Sequence, residues 1–257
     1  MTNVVITGAS SGIGAALARL YAAQRVRLLL IGRDAVRLAR VADECRAKSI
    51  LAETASVDVR DRAAMAATLR DFDARHPIEV LVANAGITSI LEADAPVEPA
   101  DDFERVLQTN LFGAFNTVAP VAERMAVRGR GRIGLVGSIA GLRGLPYSPA
   151  YCASKAGLKA MGEAMRAKLR ARGVSVTIAS IGFVVTPLDD SIESPKPLRM
   201  TPERAAARIA TAIATGRAHV AFPLLLASAA RLLALLPPRL GDALLRRVPV
   251  SRRKAED

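Results

Sequence analysis

The 257-residue chain has no tryptophan, and aromatic residues make up only 4% of it. Its core must therefore come from aliphatic side chains, drawn from the Ala, Leu and Val within a 51% hydrophobic composition. Cysteine is almost as scarce. Cys45 and Cys152 stand far apart with no metal-ligand spacing, which argues against a disulfide framework, offers no metal site and points to a reducing compartment. Met1-Thr2-Asn3 leads directly into a strand-like run, so no secretory signal is expected and the cytoplasm is the expected location. The chain shows no internal repeat or low-complexity linker, and one α/β domain accounts for the length more simply than two small ones. Acidic residues are outnumbered, 24 Asp and Glu against 36 Lys and Arg, for a net charge of +12. That excess calls for anionic partners, whether phosphorylated cofactor, acidic substrate or lipid headgroup, without choosing among them. Nucleic acid is set aside, because no groove-reading motif or aromatic–basic stacking surface accompanies the charge.

What the chain does have is alternation. Strand-like runs at Asn3–Thr7, Val26–Ile31, Leu51–Val57, Val80–Ala83, Arg132–Val136, Val174–Ile181 and His219–Phe222 punctuate the sequence. Between them lie helix-like runs at Ile13–Gln24, Ala35–Lys48, Ala63–Arg75, Phe103–Val127, Tyr151–Arg172 and Thr201–Thr215. The first helix carries Ile13, Leu17, Leu20 and Tyr21 on one stripe. The last opens with Thr201 ahead of Pro202, a favoured order at a helix start. Such alternation specifies a doubly wound, Rossmann-like parallel sheet of about seven strands with helices on both faces, spanning residues 1–222.

Two stretches carry chemistry. Thr7-Gly8-Ala9-Ser10-Ser11-Gly12-Ile13-Gly14 sits between the first strand and the first helix, the context a phosphate-binding turn requires. Gly8 permits the tight turn, Gly12 lets backbone approach a pyrophosphate, and Gly14 permits close helix packing. The helix start then offers free N–H groups to phosphate. The second stretch runs from Ser138 to Lys155. Tyr151 and Lys155 are i and i+4 neighbours on one helix face, and a nearby ammonium favours the phenolate and lowers a phenol's pKa.

These motifs, with Val57-Asp58-Val59, Asn84-Ala85-Gly86 and Asn110, fall in the order and spacing that resembles the short-chain dehydrogenase/reductase (SDR) family. The resemblance covers Asn3 to Phe222. It implies an NAD(P)-dependent oxidoreductase in which Ser138 orients the substrate oxygen and Tyr151 exchanges a proton with it. Lys155 would depress the Tyr151 pKa and hold the nicotinamide ribose, and Asn110 would kink its helix and relay protons through a water. Leu111, Phe112 and Phe115 suggest that Asn110 has a buried neighbourhood. By the same resemblance Ser10, Ser11 and Ile13 join the glycines as cofactor contacts, Asp58 holds the adenine amino group and Val59 packs beside the ring. Asn84, Ala85 and Gly86 line the crevice and steady the sheet. A departure follows the sixth strand, where Ile181-Gly182 replaces the family's Pro-Gly; Val184 and Thr186 still match the nicotinamide carboxamide contacts.

The loop after the second strand reads Ile31-Gly32-Arg33-Asp34. An acid there suits the ribose hydroxyls of NAD, whereas an arginine suits the 2′-phosphate of NADP. Arg33 holds the first position and Asp34 can cap the next helix, so NADP is expected ahead of NAD. Pro187–Met200 is polar, broken by proline and similar to the family's substrate lid. Residues 223–257 form an apolar, then basic, helical extension: Leu224–Leu236 is too short to cross a bilayer, Arg239–Val248 is basic and amphipathic, and Arg252-Arg253-Lys254 adds charge. An oligomer interface, a cover for the sheet edge, and peripheral contact with the inner face of an anionic membrane all fit it. The expected activity is interconversion of a carbonyl and a secondary alcohol on a small molecule, with the lid and apolar tail hinting at a lipophilic one, by a homodimer or homotetramer. An epimerase or dehydratase use of the scaffold and a non-catalytic NADP sensor are the alternatives; the intact Asn110, Ser138, Tyr151 and Lys155 argue against the sensor.

Overall fold

The computed structural model describes residues 1–252 apart from Ser49, Ala93, Asp94 and Ser191. Arg253 and Lys254 of the basic terminus, and Ser191 of the polar segment, therefore lie outside the described residues. Seven strands form one sheet: β1 (Thr2–Thr7), β2 (Val26–Gly32), β3 (Leu51–Ser56), β4 (Val80–Ala83), β5 (Gly131–Ser138), β6 (Val174–Ile181) and, after a short β7 (Ile192–Glu193), β8 (His219–Phe222). Every pairing in this sheet is parallel, and the order is β3-β2-β1-β4-β5-β6-β8. A separate antiparallel ladder pairs β7 with β9 (Ser251–Arg252).

Parallel strands need crossover helices, and those helices bury both faces of the sheet. Alternate residues of β1 accordingly point to opposite cores. Val4 and Ile6 pack with Leu17, Leu38, Val41 and Ile209, from helices α1 (Gly12–Tyr21), α2 (Ala35–Arg46) and, later in the chain, Pro202–Ala214. Val5 packs instead with Met65, Leu69, Val118 and Leu158. Those come from α3 (Arg62–Arg75) and two further helices on the same face.

The helix expected over Phe103–Val127 is longer and interrupted. It comprises α4 (Ala100–Leu107), a π-helical segment at Gln108–Phe112 and α5 (Gly113–Arg128). Next, α6 (Pro149–Arg170) starts two residues before the expected Tyr151, with Pro149 in its first turn where a missing N–H costs nothing. The remaining helices are α7 (Pro187–Asp190), α8 (Pro202–Ala214), α9 (Leu224–Leu235) and α10 (Pro238–Leu245). No helix among the described residues is long and apolar enough to cross a membrane.

Asp73, 1% exposed, ties the back of this architecture together. Its carboxylate accepts from Ile78 N–H at 2.7 Å, Arg128 Nη1 at 2.7 Å and Arg124 Nε, joining α3, the lead into β4 and α5. Burial alone would raise its pKa, but the hydrogen bonds from Arg128, Arg124 and Ile78 outweigh it and leave the carboxyl below its usual 3.8. A depressed acid contributes stability that is present above its unfolded pKa and is lost as pH falls through the folded value. Asp73→Ala, which strands two arginines, is expected to cost about 3 kcal/mol in urea unfolding at neutral pH. The deficit should shrink as the pH is lowered through the carboxylate range; a pH-independent deficit would contradict the assignment.

Candidate active site

An open parallel sheet binds ligands at the carboxyl ends of its strands, where the strand order reverses. Here that point lies between β1 and β4, both of which adjoin the glycine turn. Gly8 and Gly12 take φ of +65° and +52°, a region L side chains rarely adopt. A Cβ on Gly8 would stand 2.8 Å from Ala85 Cα, and one on Gly12 would meet the Thr186 methyl at 2.9 Å. The turn is thus pressed between the β4 end and the loop after β6, with the start of α1 above it. Asn84 fixes this arrangement: its Nδ2 donates to Thr7 O at 3.0 Å and Gly8 O at 3.2 Å, and its own N–H donates to Thr7 Oγ1. Asn84 therefore acts structurally, as a stitch between β4 and β1. Ser10 lies beside Gly32 at the end of β2.

Ser138 closes β5 and is paired across the sheet with Ile181. Its Oγ accepts from Ala140 N–H at 3.1 Å, capping a short 3₁₀ turn, and lies within reach of the Tyr151 phenol. From the facing α6, Lys155 reaches under Tyr151: its Nζ is 5.6 Å from the tyrosine ring centroid and donates to Val136 O at 3.1 Å. An ammonium has three donors, so the one bond to Val136 leaves capacity for ligand hydroxyls. Gly86 keeps the approach open, since a Cβ there would come within 3.4 Å of Nζ.

Asn110 is 1% exposed and lies inside the π segment. Its Oδ1 accepts from Ile87 N–H at 2.8 Å, and its Nδ2 donates to Ile87 O at 2.9 Å and Ser154 Oγ at 3.0 Å. Ser154 passes the link on to Tyr151 O at 2.8 Å. The aromatic neighbours do not make this burial: Phe112 and Phe115 are 51% and 44% exposed. What buries Asn110 is the loop following β4 on one side and α6 on the other.

The electrostatics also depart from expectation. Burial pushes the Tyr151 phenol up to about 12; the Ser138 hydroxyl pulls it back in part, and Cys152 and Asp189 add to the rise. Lys155 is not among the groups that lower it. Desolvation brings Lys155 itself down to about 8, because the ammonium is enclosed with a single carbonyl and a ring face. Cys152, beside Tyr151, is raised to about 11 by burial and stays a thiol.

On the adenosine side, Asp34 is committed to α2: its carboxylate accepts from Arg37 N–H at 2.9 Å and pairs with Arg37 Nε. Arg33, 62% exposed in its side chain, lies 3.9 Å from Asp58. Both oxygens of Asp58 are held by Arg60, through its N–H, Nε and Nη2. Val59 is buried against Gly113, where a Cβ would come within 2.6 Å of it. Beyond β6, the missing proline has a consequence: Ile181 stays in the ladder, paired with both Ser138 and Phe222. Val184 bridges to Met200, and Thr186 Oγ1 accepts from Asp189 N–H to start α7. Asp189 is clasped by Arg199 Nε at 2.7 Å and Lys196 Nζ at 3.6 Å, which closes the Pro187–Met200 segment on itself. The glycine cradle, the donors Lys155 has to spare and the largely exposed Arg33 fit a nicotinamide dinucleotide.

Three contributors have no counterpart in the expected site. Glu98, 7% exposed, accepts from Ala150 N–H at 2.7 Å through Oε2 and from the Ser89 hydroxyl through Oε1. Ser148 Oγ donates to Ser89 O at 2.8 Å. A carboxylate from a distant loop thus caps α6 just before Tyr151, a task Ser148 would ordinarily perform. Ser148-Pro149 signals the helix start in sequence; nothing local signals Glu98. Glu98→Ala leaves the Ala150 N–H without its acceptor, a loss of roughly 1–3 kcal/mol. Turnover is expected to fall more than cofactor affinity, read from kcat beside a cofactor titration; equal losses in both would contradict a role at Tyr151.

A family model described as short chain dehydrogenase matches residues 2–197. The chain is 36% identical to an uncharacterized oxidoreductase of Myxococcus xanthus, over 96% of this chain and 97% of that one. Its fold is similar to that of a short-chain type dehydrogenase/reductase from Mycobacterium marinum, with 26% identity, 86% and 93% coverage and a TM-score of 0.76. It is also similar to a NAD+-bound xylitol dehydrogenase, with 29% identity, 71% and 70% coverage and a TM-score of 0.68. The match runs through the glycine turn, β4, α6 and most of the segment beyond β6, so the chain belongs to the short-chain dehydrogenase/reductase family and is an oxidoreductase of the alcohol/carbonyl dehydrogenase type.

Proposed function

We propose that this enzyme interconverts a carbonyl and a secondary alcohol with NADP as its partner cofactor and Tyr151 as its acid/base. The observation that carries the reading is the meeting of Ser138 and Tyr151 over the buried Lys155, at the strand ends beside the glycine turn. When bound, the nicotinamide supplies or accepts the hydride. The protein's task is then proton control. With its phenol pushed up to about 12, Tyr151 is protonated at neutral pH and can donate to the substrate oxygen during reduction. Ser138 holds that oxygen in line with the phenol. Lys155, brought down to about 8, can lose and regain a proton near neutrality and so can restore the one Tyr151 gives up. Asn110 acts through Ser154 and Ile87, fixing the helix on which Tyr151 and Lys155 stand.

The preference for NADP rests on the loop after β2. Asp34 is occupied as a helix cap, leaving Arg33 as the exposed group facing the adenosine side. The xylitol dehydrogenase relative binds NAD+, so the choice belongs to this chain's own residues. The substrate is proposed to be a small lipophilic carbonyl or alcohol in the cytoplasm. A homodimer or homotetramer is proposed through Phe103, Phe112 and Phe115, which stand 38%, 51% and 44% exposed along α4, the π segment and α5. Light scattering should show Phe112→Ser shifting the mass to that of a monomer; a parent that is already monomeric excludes the contact. Membrane contact is a separate proposal resting on the C-terminal helices.

Two variants test the chemistry. Tyr151→Phe should bind NADPH yet lose turnover by at least about a hundredfold, the usual worth of a positioned acid/base; near-parental kcat would refute the mechanism. Arg33→Ala should raise KM for NADPH by roughly tenfold or more while leaving NADH little changed. Equal effects on both cofactors would refute the phosphate contact.

A further inference from the structure

The catalytic reading leaves the C-terminal extension unexplained. α9 meets the body along a narrow edge: Ala227 is its fully buried residue, and Leu226 lies against Gly182. Leu224, Leu225, Leu232 and Leu235 are 71%, 71%, 65% and 80% exposed. Leu225, Leu232 and Leu235 recur at helical spacing, so they form one stripe. On α10 Leu240 and Leu244, at i and i+4, are 58% and 50% exposed, and Val248 just past its end is 37% exposed. Scattered surface leucines need no explanation, but two consecutive helices with apolar stripes in water do.

Charge decides the occupant. Arg231, Arg239, Arg246 and Arg247, carried by the same two helices and the turn after them, are all exposed. The one acid between residues 223 and 252, Asp242, is neutralised by Arg143, whose Nη2 donates to it at 2.8 Å. Over residues 223–252 the extension is therefore apolar and net positive, on a chain whose total charge is +12. A twofold contact of this face with itself would set arginines against arginines. An anionic lipid surface satisfies leucines and arginines together. We infer that α9 and α10 form an in-plane docking surface for an anionic lipid membrane, with the leucine stripes at the headgroup–acyl boundary and the arginines on the phosphates.

The same extension touches the site. β9 pairs with β7 inside the Pro187–Met200 segment, and Ser251 Oγ donates to Glu193 Oε2 at 3.4 Å. A cavity of about 750 Å³ lies between α10 and the start of α6, lined by Leu142, Leu145, Cys152 and Leu245 among others. Docking would thus hold the lid segment and this cavity, whose lining also includes Arg143, Asp242 and Arg246, at the lipid boundary. Lipid binding itself does not depend on the proposed carbonyl chemistry, and a binding assay tests it independently of turnover.

The test is flotation of the full chain with vesicles of phosphatidylcholine alone and of phosphatidylcholine with phosphatidylglycerol, at low and high salt. The protein should float with the anionic vesicles, stay behind with the neutral ones and be partly released by salt. Arg246→Ala with Arg247→Ala should weaken binding by roughly thirtyfold, at about 1 kcal/mol per arginine. Leu232→Gln with Leu235→Gln should abolish it while leaving the melting temperature unchanged, because both leucines are exposed. Failure to float with anionic vesicles, or equal flotation with both lipids, overturns the proposal. If flotation fails and the leucine pair converts an oligomer to monomer by light scattering, the face belongs to a second copy of the chain.

Discussion

A lysine ammonium buried to 5% exposure is costly to keep in a protein interior, and the site is arranged around that cost. Lys155 has one carbonyl, Val136 O, and one aromatic face, Tyr151, as its protein company. To supply them, α6 must lie across the end of β5 with its first turn directly over the strand termini. That demand explains the density of hydrogen bonds around the helix start. Glu98 caps it from one loop, Asn110 braces it through Ser154, and Ser148 ties it to Ser89. The desolvation that makes the lysine expensive also brings its proton within exchange range at ordinary pH, so the structural burden and the chemical capability share one origin.

The sheet and its seven strands were legible because buried parallel strands read as apolar runs and their crossover helices as 3.6-residue periodicity. The glycine turn was legible because positive φ and close approach leave few residues able to serve. Asp34 could be read as a cap because a cap is a local event between neighbours. Glu98 could not, since the helix N–H it caps, at Ala150, lies 52 residues away and a carboxylate in a loop carries no mark of where it will be buried. The expected lowering of the Tyr151 pKa failed for a related reason. Spacing puts the lysine near the tyrosine, but whether burial outweighs charge depends on everything packed around the pair. The aromatic residues near Asn110 misled in the opposite direction, being apolar in type yet exposed in place.

The two sides of the cleft are built differently. Around the glycine turn, positions are set by backbone: the turn, the Asn84 stitch and the unbroken β6 ladder through Ile181. Around Pro187–Met200, positions depend on ion pairs and short ladders, Asp189 with Arg199 and β7 with β9. The glycine-turn side is therefore held by backbone, and the C-terminal end of the described chain is woven into the segment beyond β6.

The π segment at Gln108–Phe112 has a consequence for helical phase. Each residue of an α-helix turns about 100°, and a π turn accommodates one residue more than the α-helix it interrupts. The rod from Ala100 to Arg128 is therefore two facets offset in rotation. One half can address α6 while the other addresses α3 and the sheet, with no break in the chain between them. A straight helix of the same length would have to choose one neighbour; the extra residue at Asn110 lets a single helix serve both the site and the core.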